Sequence, residues 1–339
     1  MEKQPFGTLP GGEQAFLYTI SNGKLRAQIT DFGAALVRLY VPDRQGIPED
    51  VVLGFADANG YRTSTTYFGA TVGRNANRIK GAAFTLGDTP VQLTANENGN
   101  SLHSGPNSYA FRLWQVTKQE KNQIEFFLYS PHLDQGFPGN AEIRVTYALP
   151  TPDTLTITYD GICDRDTVFN LTNHSYFNLA GHNRPELAMA QHLCISASHF
   201  TPADAHSIPT GESRPVAGTP MDFRTPKAIS RDIDAAYECL HLQGGYDHNF
   251  QVDSNPCATL YDPFSGRKME ISTDCPGLQF YSGNFLRGEL GKDGVHYCYR
   301  GGIALETQFR PDSVNDPRCP QPFVKAGTPY HSQTVYTFK

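Results

Sequence analysis

The segment Asn173-His174-Ser175-Tyr176-Phe177-Asn178-Leu179 gathers more hydrogen-bonding chemistry than its surroundings. Read as a strand from Val168, its even positions are Val168, Asn170, Thr172, His174, Tyr176 and Asn178. The odd positions are Phe169, Leu171, Asn173, Ser175, Phe177 and Leu179. Successive strand side chains point to opposite faces, so one face presents amide, hydroxyl, imidazole, phenol and amide in a row. A polar row centred on a histidine suits the floor of a sugar site. A half-solvated strand would show the same pattern.

Further side chains of this kind are dispersed along the chain. Asn77 and Arg78 lie in Gly73-Arg74-Asn75-Ala76-Asn77-Arg78-Ile79, and His103 in Ser101-Leu102-His103-Ser104-Gly105. Asp247 stands in Gly245-Tyr246-Asp247-His248-Asn249-Phe250, and Gln279 in Gly277-Leu278-Gln279-Phe280-Tyr281. Glu306, in Ile303-Ala304-Leu305-Glu306-Thr307-Gln308-Phe309, shares a strand face with Ala304 and Gln308. A carboxylate beside a small residue leaves room for a ligand. Singly, each has an ordinary alternative: a surface ion pair for Arg78, a turn for His103, a solvated strand position for Glu306. They acquire a joint meaning only if the fold gathers them.

Motifs with a definite mechanism are absent, among them G-x-S-x-G, H-E-x-x-H and a strand-borne G-x-G-x-x-G. Gly288-Glu289-Leu290-Gly291-Lys292 is a P-loop fragment with wrong spacing, followed by Asp293 instead of Ser or Thr. The 11 histidines show no metal-ligand spacing, so neither a metal nor a nicotinamide cofactor is expected.

The elements that must position these residues read as strands. Ala141 to Leu149 alternates cleanly and is followed, after Pro150-Thr151-Pro152-Asp153, by Leu155 to Tyr159, a predicted hairpin. Leu36 to Val41, Val51 to Phe55, Ile124 to Tyr129 and Ile303 to Phe309 add strands. The best helical candidate is the short Asp232 to Tyr237. Turn clusters such as Asp43-Arg44-Gln45-Gly46 and Pro263-Phe264-Ser265-Gly266 punctuate the pattern. With no linker, repeat or composition shift, one all-β domain over 1–339, a large antiparallel β-sandwich with few short helices, is the expected architecture.

Composition narrows the classes. The 28 basic and 34 acidic residues give a net charge of −6 with no Lys/Arg run, which disfavours nucleic acid as a partner. The 17 Tyr and 21 Phe are β-formers, and the 31 Gly and 24 Pro suit many turns. Seven scattered cysteines, odd in number and without a C-x-x-C pair, read as reduced thiols of a cytoplasmic protein. Neither a leader-like N-terminus nor a membrane-length apolar run is present. The sequons at Asn170 and Asn173 fall inside the polar strand and read as chance matches.

Leu171-Thr172-Asn173-His174-Ser175-Tyr176-Phe177-Asn178-Leu179 resembles the signature of the aldose 1-epimerases, or galactose mutarotases. The resemblance continues at Gly73-Arg74, Asn77-Arg78, Leu102-His103-Ser104-Gly105 and Gly136-Phe137-Pro138-Gly139-Asn140. It extends through Tyr246-Asp247-His248-Asn249-Phe250, Leu278-Gln279-Phe280-Tyr281-Ser282-Gly283-Asn284 and Leu305-Glu306-Thr307-Gln308, in order over nearly the whole chain. It implies a β-supersandwich and a cofactor-free enzyme, a monomer or homodimer, that interconverts α and β anomers of free hexoses such as galactose and glucose. By motif position His174 would be the general acid and Glu306 the general base. Asn77, Arg78, His103, Tyr176, Asp247 and Gln279 would bind the sugar hydroxyls. His248, on the opposite strand face from Asp247, is expected to be structural or exposed.

The chemistry suits these types. Glutamate titrates near ~4.3 and histidine near ~6.5, so neither group needs an extreme shift to serve as base and acid together. Three alternatives remain at this stage. A glycoside hydrolase would use Asp247 with Glu306. A non-catalytic sugar-binding protein would need no acid–base pair. A mutarotase of phosphorylated hexoses would need a cationic clamp, for which Arg74 and Arg78 are the tight pair.

Overall fold

A computed structural model describes residues 2–339. The alternation in Ala141–Ala148 becomes a strand that buries Ala141, Ile143, Val145 and Tyr147. It pairs with Thr154–Cys163 in the predicted hairpin, Val145 opposite Tyr159 and Ala148 opposite Thr156. That hairpin belongs to a nine-stranded antiparallel sheet whose middle strand is the C-terminal Tyr330–Phe338, flanked by Thr154–Cys163 and Lys268–Thr273. A five-stranded meander from Glu2–Thr8 to Pro48–Asp50 forms a second sheet. Ile20, Ala27, Ile29 and Leu39 of the meander share one core with Phe126, Val145 and Tyr147 of the larger sheet.

The third sheet positions the candidate site. Its six strands run in the order Tyr176–Phe177, Ile303–Gln308, Gly277–Tyr281, Asp247–Gln251, His199–Thr201, Arg214–Pro215. Phe177, Ile303, Leu305, Leu278, Phe280 and Phe250 lie on one face, in the same core as Ile271 and Tyr336. Each such side chain contributes about 1.5–3 kcal/mol on full burial, and together they fix the sheet's orientation. Register then dictates the other face. One row runs Tyr176, Ala304, Tyr281, Asp247, and the next runs Glu306, Gln279, Asn249. Burying the apolar face therefore places residues from four separate sequence motifs side by side.

Three expected elements differ. Residues 168–179 do not form one strand. They divide into Thr167–Val168, Thr172–Asn173 and Tyr176–Phe177, which pair with Phe323–Val324, Thr71–Val72 and Ile303–Gln308. Both faces are buried, and the three asparagines of the segment satisfy neighbouring backbone where solvent was expected. The Asn173 amide donates to the Gly69 carbonyl, the Asn178 amide to that of Arg184, and Asn170 Oδ1 accepts from the Phe309 N–H. Asn170 and Asn173 are 1% and 5% exposed, which closes both sequons to modification.

Val51 to Phe55 contributes one bridge, Val52 with Phe177, and the neighbouring strand is Pro48–Asp50. Asp232 to Tyr237 is a turn, with Asp232 held by Lys227 at 2.7 Å and Asp234 by Arg300 at 2.9 Å. The helix begins one residue later, as Glu238–Gln243, and ends on left-handed Gly244 at φ 67°. A second short helix, Ala58–Thr63, is capped by Asp57, whose carboxylate accepts from the Gly60 N–H. Asn59 and Gly60 are poor helix formers, which hid it in the sequence. No described helix is long and apolar enough to cross a membrane.

Candidate active site

A cavity of about 400 Å³ opens over the polar face of the six-stranded sheet. Its lining includes Asn77, Arg78, His103, His174, Tyr176, Asp247 and Glu306, seven of the eight candidates. Gln279 lies behind them. It faces an adjoining narrow pocket and donates from Nε2 to Asp247 Oδ1 at 2.6 Å, so it supports a cavity carboxylate. Asn170 and Asn178, once grouped with His174 by alternation, are bound into the backbone elsewhere; only His174 and Tyr176 of that row reach the cavity.

His174 is anchored through its backbone, its N–H donating to Ala70 and its carbonyl accepting from Gly69. Its ring is stacked with those of Tyr176 and Tyr67, at 5.1 and 5.9 Å and within 18° of parallel. These contacts leave His174 Nε2 3.7 Å from Glu306 Oε2. Both side chains are buried, and Glu306 Oε2 has no hydrogen-bond partner within the protein.

Burial governs their ionisation. It drives the His174 imidazolium down to about 4. Burial, reinforced by the Asp247 charge and opposed by Arg78, raises the Glu306 carboxyl well above its ordinary value. The expectation of nearly unshifted groups is thereby overturned: an enclosed cavity penalises both charges at once. Burial thus works against the imidazolium and the carboxylate alike.

The remaining candidate groups are equally constrained. Arg78–Ile79 pairs with Ser101–Leu102, which brings Asn77 against His103. The Asn77 N–H donates to His103 Nδ1 at 3.1 Å, and the His103 N–H donates to the Asn77 carbonyl at 2.9 Å. His103 therefore carries its ring proton on Nε2, and burial with nearby His174 and Arg78 keeps the ring neutral. Burial raises Asp247 as well, against the pull of Arg78 and Gln279. Burial, together with Tyr281, Glu306 and Asp247, holds Tyr176 as a neutral phenol.

His103, His174 and Glu306 offer ligand atoms within 4.8 Å of one another, a cluster that linear spacing concealed. The surroundings of His103 do not suit a cation. A metal-bound histidine donates its distal N–H to an acceptor, whereas His103 Nδ1 meets a donor, the Asn77 N–H.

Arg74 does not join Arg78 in a phosphate clamp. Its guanidinium is buried and donates to Ser130, Pro138, Gly139 and Thr167, cross-linking loops away from the cavity. His248 is buried: its Nδ1 accepts from the Asp247 N–H and its ring packs against Phe200. Sequence reasoning missed Tyr67, Glu97, Tyr281 and Phe285, which also line the cavity. Tyr281 was legible, since it stands two residues from Gln279 on one strand face. Tyr67, at φ 56° in a loop, carried no signal.

An all-β fold with a buried His174–Glu306 pair in one polar cavity fits an isomerase of the aldose-epimerase class. The aldose 1-epimerase family model matches residues 17–337. Galactose mutarotase from Mus musculus is 40% identical over 339 residues, covering 98% of this chain and 97% of that protein. Aldose 1-epimerase from Haemophilus influenzae is 36% identical over the full length of both. The crystal structure of an aldose epimerase homologue from C. elegans superposes with a TM-score of 0.88 at 31% identity, covering 96% of this chain and 99% of that one. The chain belongs to the aldose 1-epimerase family, whose members interconvert the α and β anomers of sugars.

Proposed function

We propose that the chain interconverts the anomers of D-galactose and D-glucose, with Glu306 as base and His174 as acid. The observation that carries this reading is the buried 3.7 Å approach of His174 Nε2 to Glu306 Oε2 beside Asp247 and Arg78. The working pair is the Glu306 carboxylate with a protonated His174. The Glu306 carboxylate takes the anomeric hydroxyl proton as the C1–ring-oxygen bond breaks and C1–O1 becomes a carbonyl. His174 delivers its proton to the ring oxygen. Rotation about C1–C2 presents the other carbonyl face, the ring oxygen attacks, and both protons return. The cycle neither consumes nor releases a proton.

Asn77, Arg78, His103, Tyr176 and Asp247 hold the hydroxyls in this reading, and Gln279 orients Asp247. Such positioning is the main requirement when both reacting groups belong to one substrate. Residues 1–339 act as one domain around this cavity, a reading supported by the C-terminal strand at the middle of the largest sheet. The free thiols at all seven cysteines support a reducing, cytoplasmic setting.

Glu306→Gln tests the assignment. Loss of the base should lower kcat by about 10²–10⁴-fold, while calorimetry still detects galactose binding. Wild-type turnover would remove Glu306 from the role. His174→Asn should likewise act on kcat; an effect confined to KM would make His174 a binding residue.

A further inference from the structure

We propose that Glu97 sets the charge selectivity of the cavity: its carboxylate occupies and neutralises Arg78, so that uncharged sugars are accepted and anionic ones rejected. The inference deepens the proposed function and rests on it. Among the described residues, Arg78 is the one permanent cation in the cavity lining, amid Glu97, Asp247, Glu289 and Glu306. A free guanidinium there would present a planar fork matched to carboxylate or phosphate.

Glu97 takes that fork. Its Oε2 accepts from Arg78 Nε at 2.5 Å and its Oε1 from Nη2 at 2.9 Å, one of the two edges an anionic substituent could use. Burial works against the Arg78 charge, yet the Glu97 hydrogen bonds, with Asp247 and Glu306, hold its pKa above the ordinary value. Nη1 is left to donate to a neutral hydroxyl.

The pair is built into the backbone and differs from a chance surface contact. Glu97 and Asn100 exchange backbone hydrogen bonds across a tight turn whose Asn98 and Gly99 lie at φ 49° and 79°. The Asn96 side chain clamps both the N–H and the carbonyl of Leu102, next to His103. Asn100 Oδ1 accepts from the Gly81 N–H. The turn thus delivers Glu97 to Arg78 before any ligand arrives, and exposed pairs lacking such support contribute little.

The test compares D-galactose with D-galactose 6-phosphate and D-galacturonate, following anomer exchange by NMR in wild type, Glu97→Gln and Glu97→Asp. The ratio of kcat/KM for the anionic over the neutral sugar should rise about tenfold in Glu97→Gln, the scale of one lost charge–charge repulsion. In Glu97→Asp, which keeps the charge, the ratio should stay near wild type. An unchanged ratio in Glu97→Gln, or an equal rise in Glu97→Asp, overturns the proposal. Calorimetric binding of D-galactose 6-phosphate to Glu97→Gln and Glu97→Ala supplies a readout independent of turnover, and no gain over wild type in either folded variant also overturns it. Inactivity of wild type on D-galactose would instead count against the proposed function.

Discussion

At the scale of the residue, burial sets the ionisation of His174 and Glu306, pushing the first down and the second up. Asn77, Arg78, His103, His174, Tyr176, Asp247 and Glu306 reach one cavity, as motif positions implied. Their protonation was not legible, because it depends on how completely the cavity encloses them. An exposed histidine beside a carboxylate would titrate at or above its ordinary ~6.5. His174 is buried between tyrosine rings, and the cost of enclosing a cation outweighs the backbone hydrogen bond that pulls the other way. Its folded-state pKa of about 4 means the ring stays neutral as the pH falls from 7, and gains a proton only near that value. Imidazole ¹⁵N shifts of the ligand-free protein should accordingly show a neutral His174 at pH 6. A midpoint near ~6.5 would contradict the enclosure argument.

At the scale of the element, long alternating strands were readable and the short pieces around the site were not. Ala141–Ala148 and Ile303–Gln308 match their expected spans within one residue, since one face of each packs into the core. Residues 168–179 failed the same test. Asn170 and Asn178 on one side and Asn173 on the other bond to backbone, and both sides are buried, so alternation there does not separate a wet face from a dry one. Gly69 shows how tightly this region is fitted. It sits at φ 63°, its N–H donates to the His174 carbonyl, and its carbonyl accepts from the Leu36 N–H. A Cβ added there would lie 2.0 Å from the Leu36 carbonyl oxygen. Gly69→Ala should therefore cost at least about 2 kcal/mol in urea unfolding, from left-handed strain together with overpacking. An unchanged midpoint would show that the meander and the His174 segment are not coupled through this glycine.

At the scale of the whole molecule, the all-β class followed from turn-punctuated alternation, whereas the gathering of the site followed from register. Tyr176, Asp247 and Glu306 are far apart in sequence and become neighbours because Tyr176 faces Ala304, Tyr281 faces both Ala304 and Asp247, and Glu306 faces Gln279. No linear pattern encodes that pairing; the resemblance to a family supplied it. The cavity so formed is rich in carboxyl groups and its Arg78 is paired with Glu97, which favours a neutral sugar over the phosphorylated alternative. The central claim is that this cavity speeds the exchange of anomers without altering their equilibrium. Polarimetry of freshly dissolved α-D-galactose tests it most directly. The protein should accelerate the approach to the final rotation, leave that rotation unchanged, and lose this effect in Glu306→Gln; a rate equal to the uncatalysed one with wild-type protein would contradict the account.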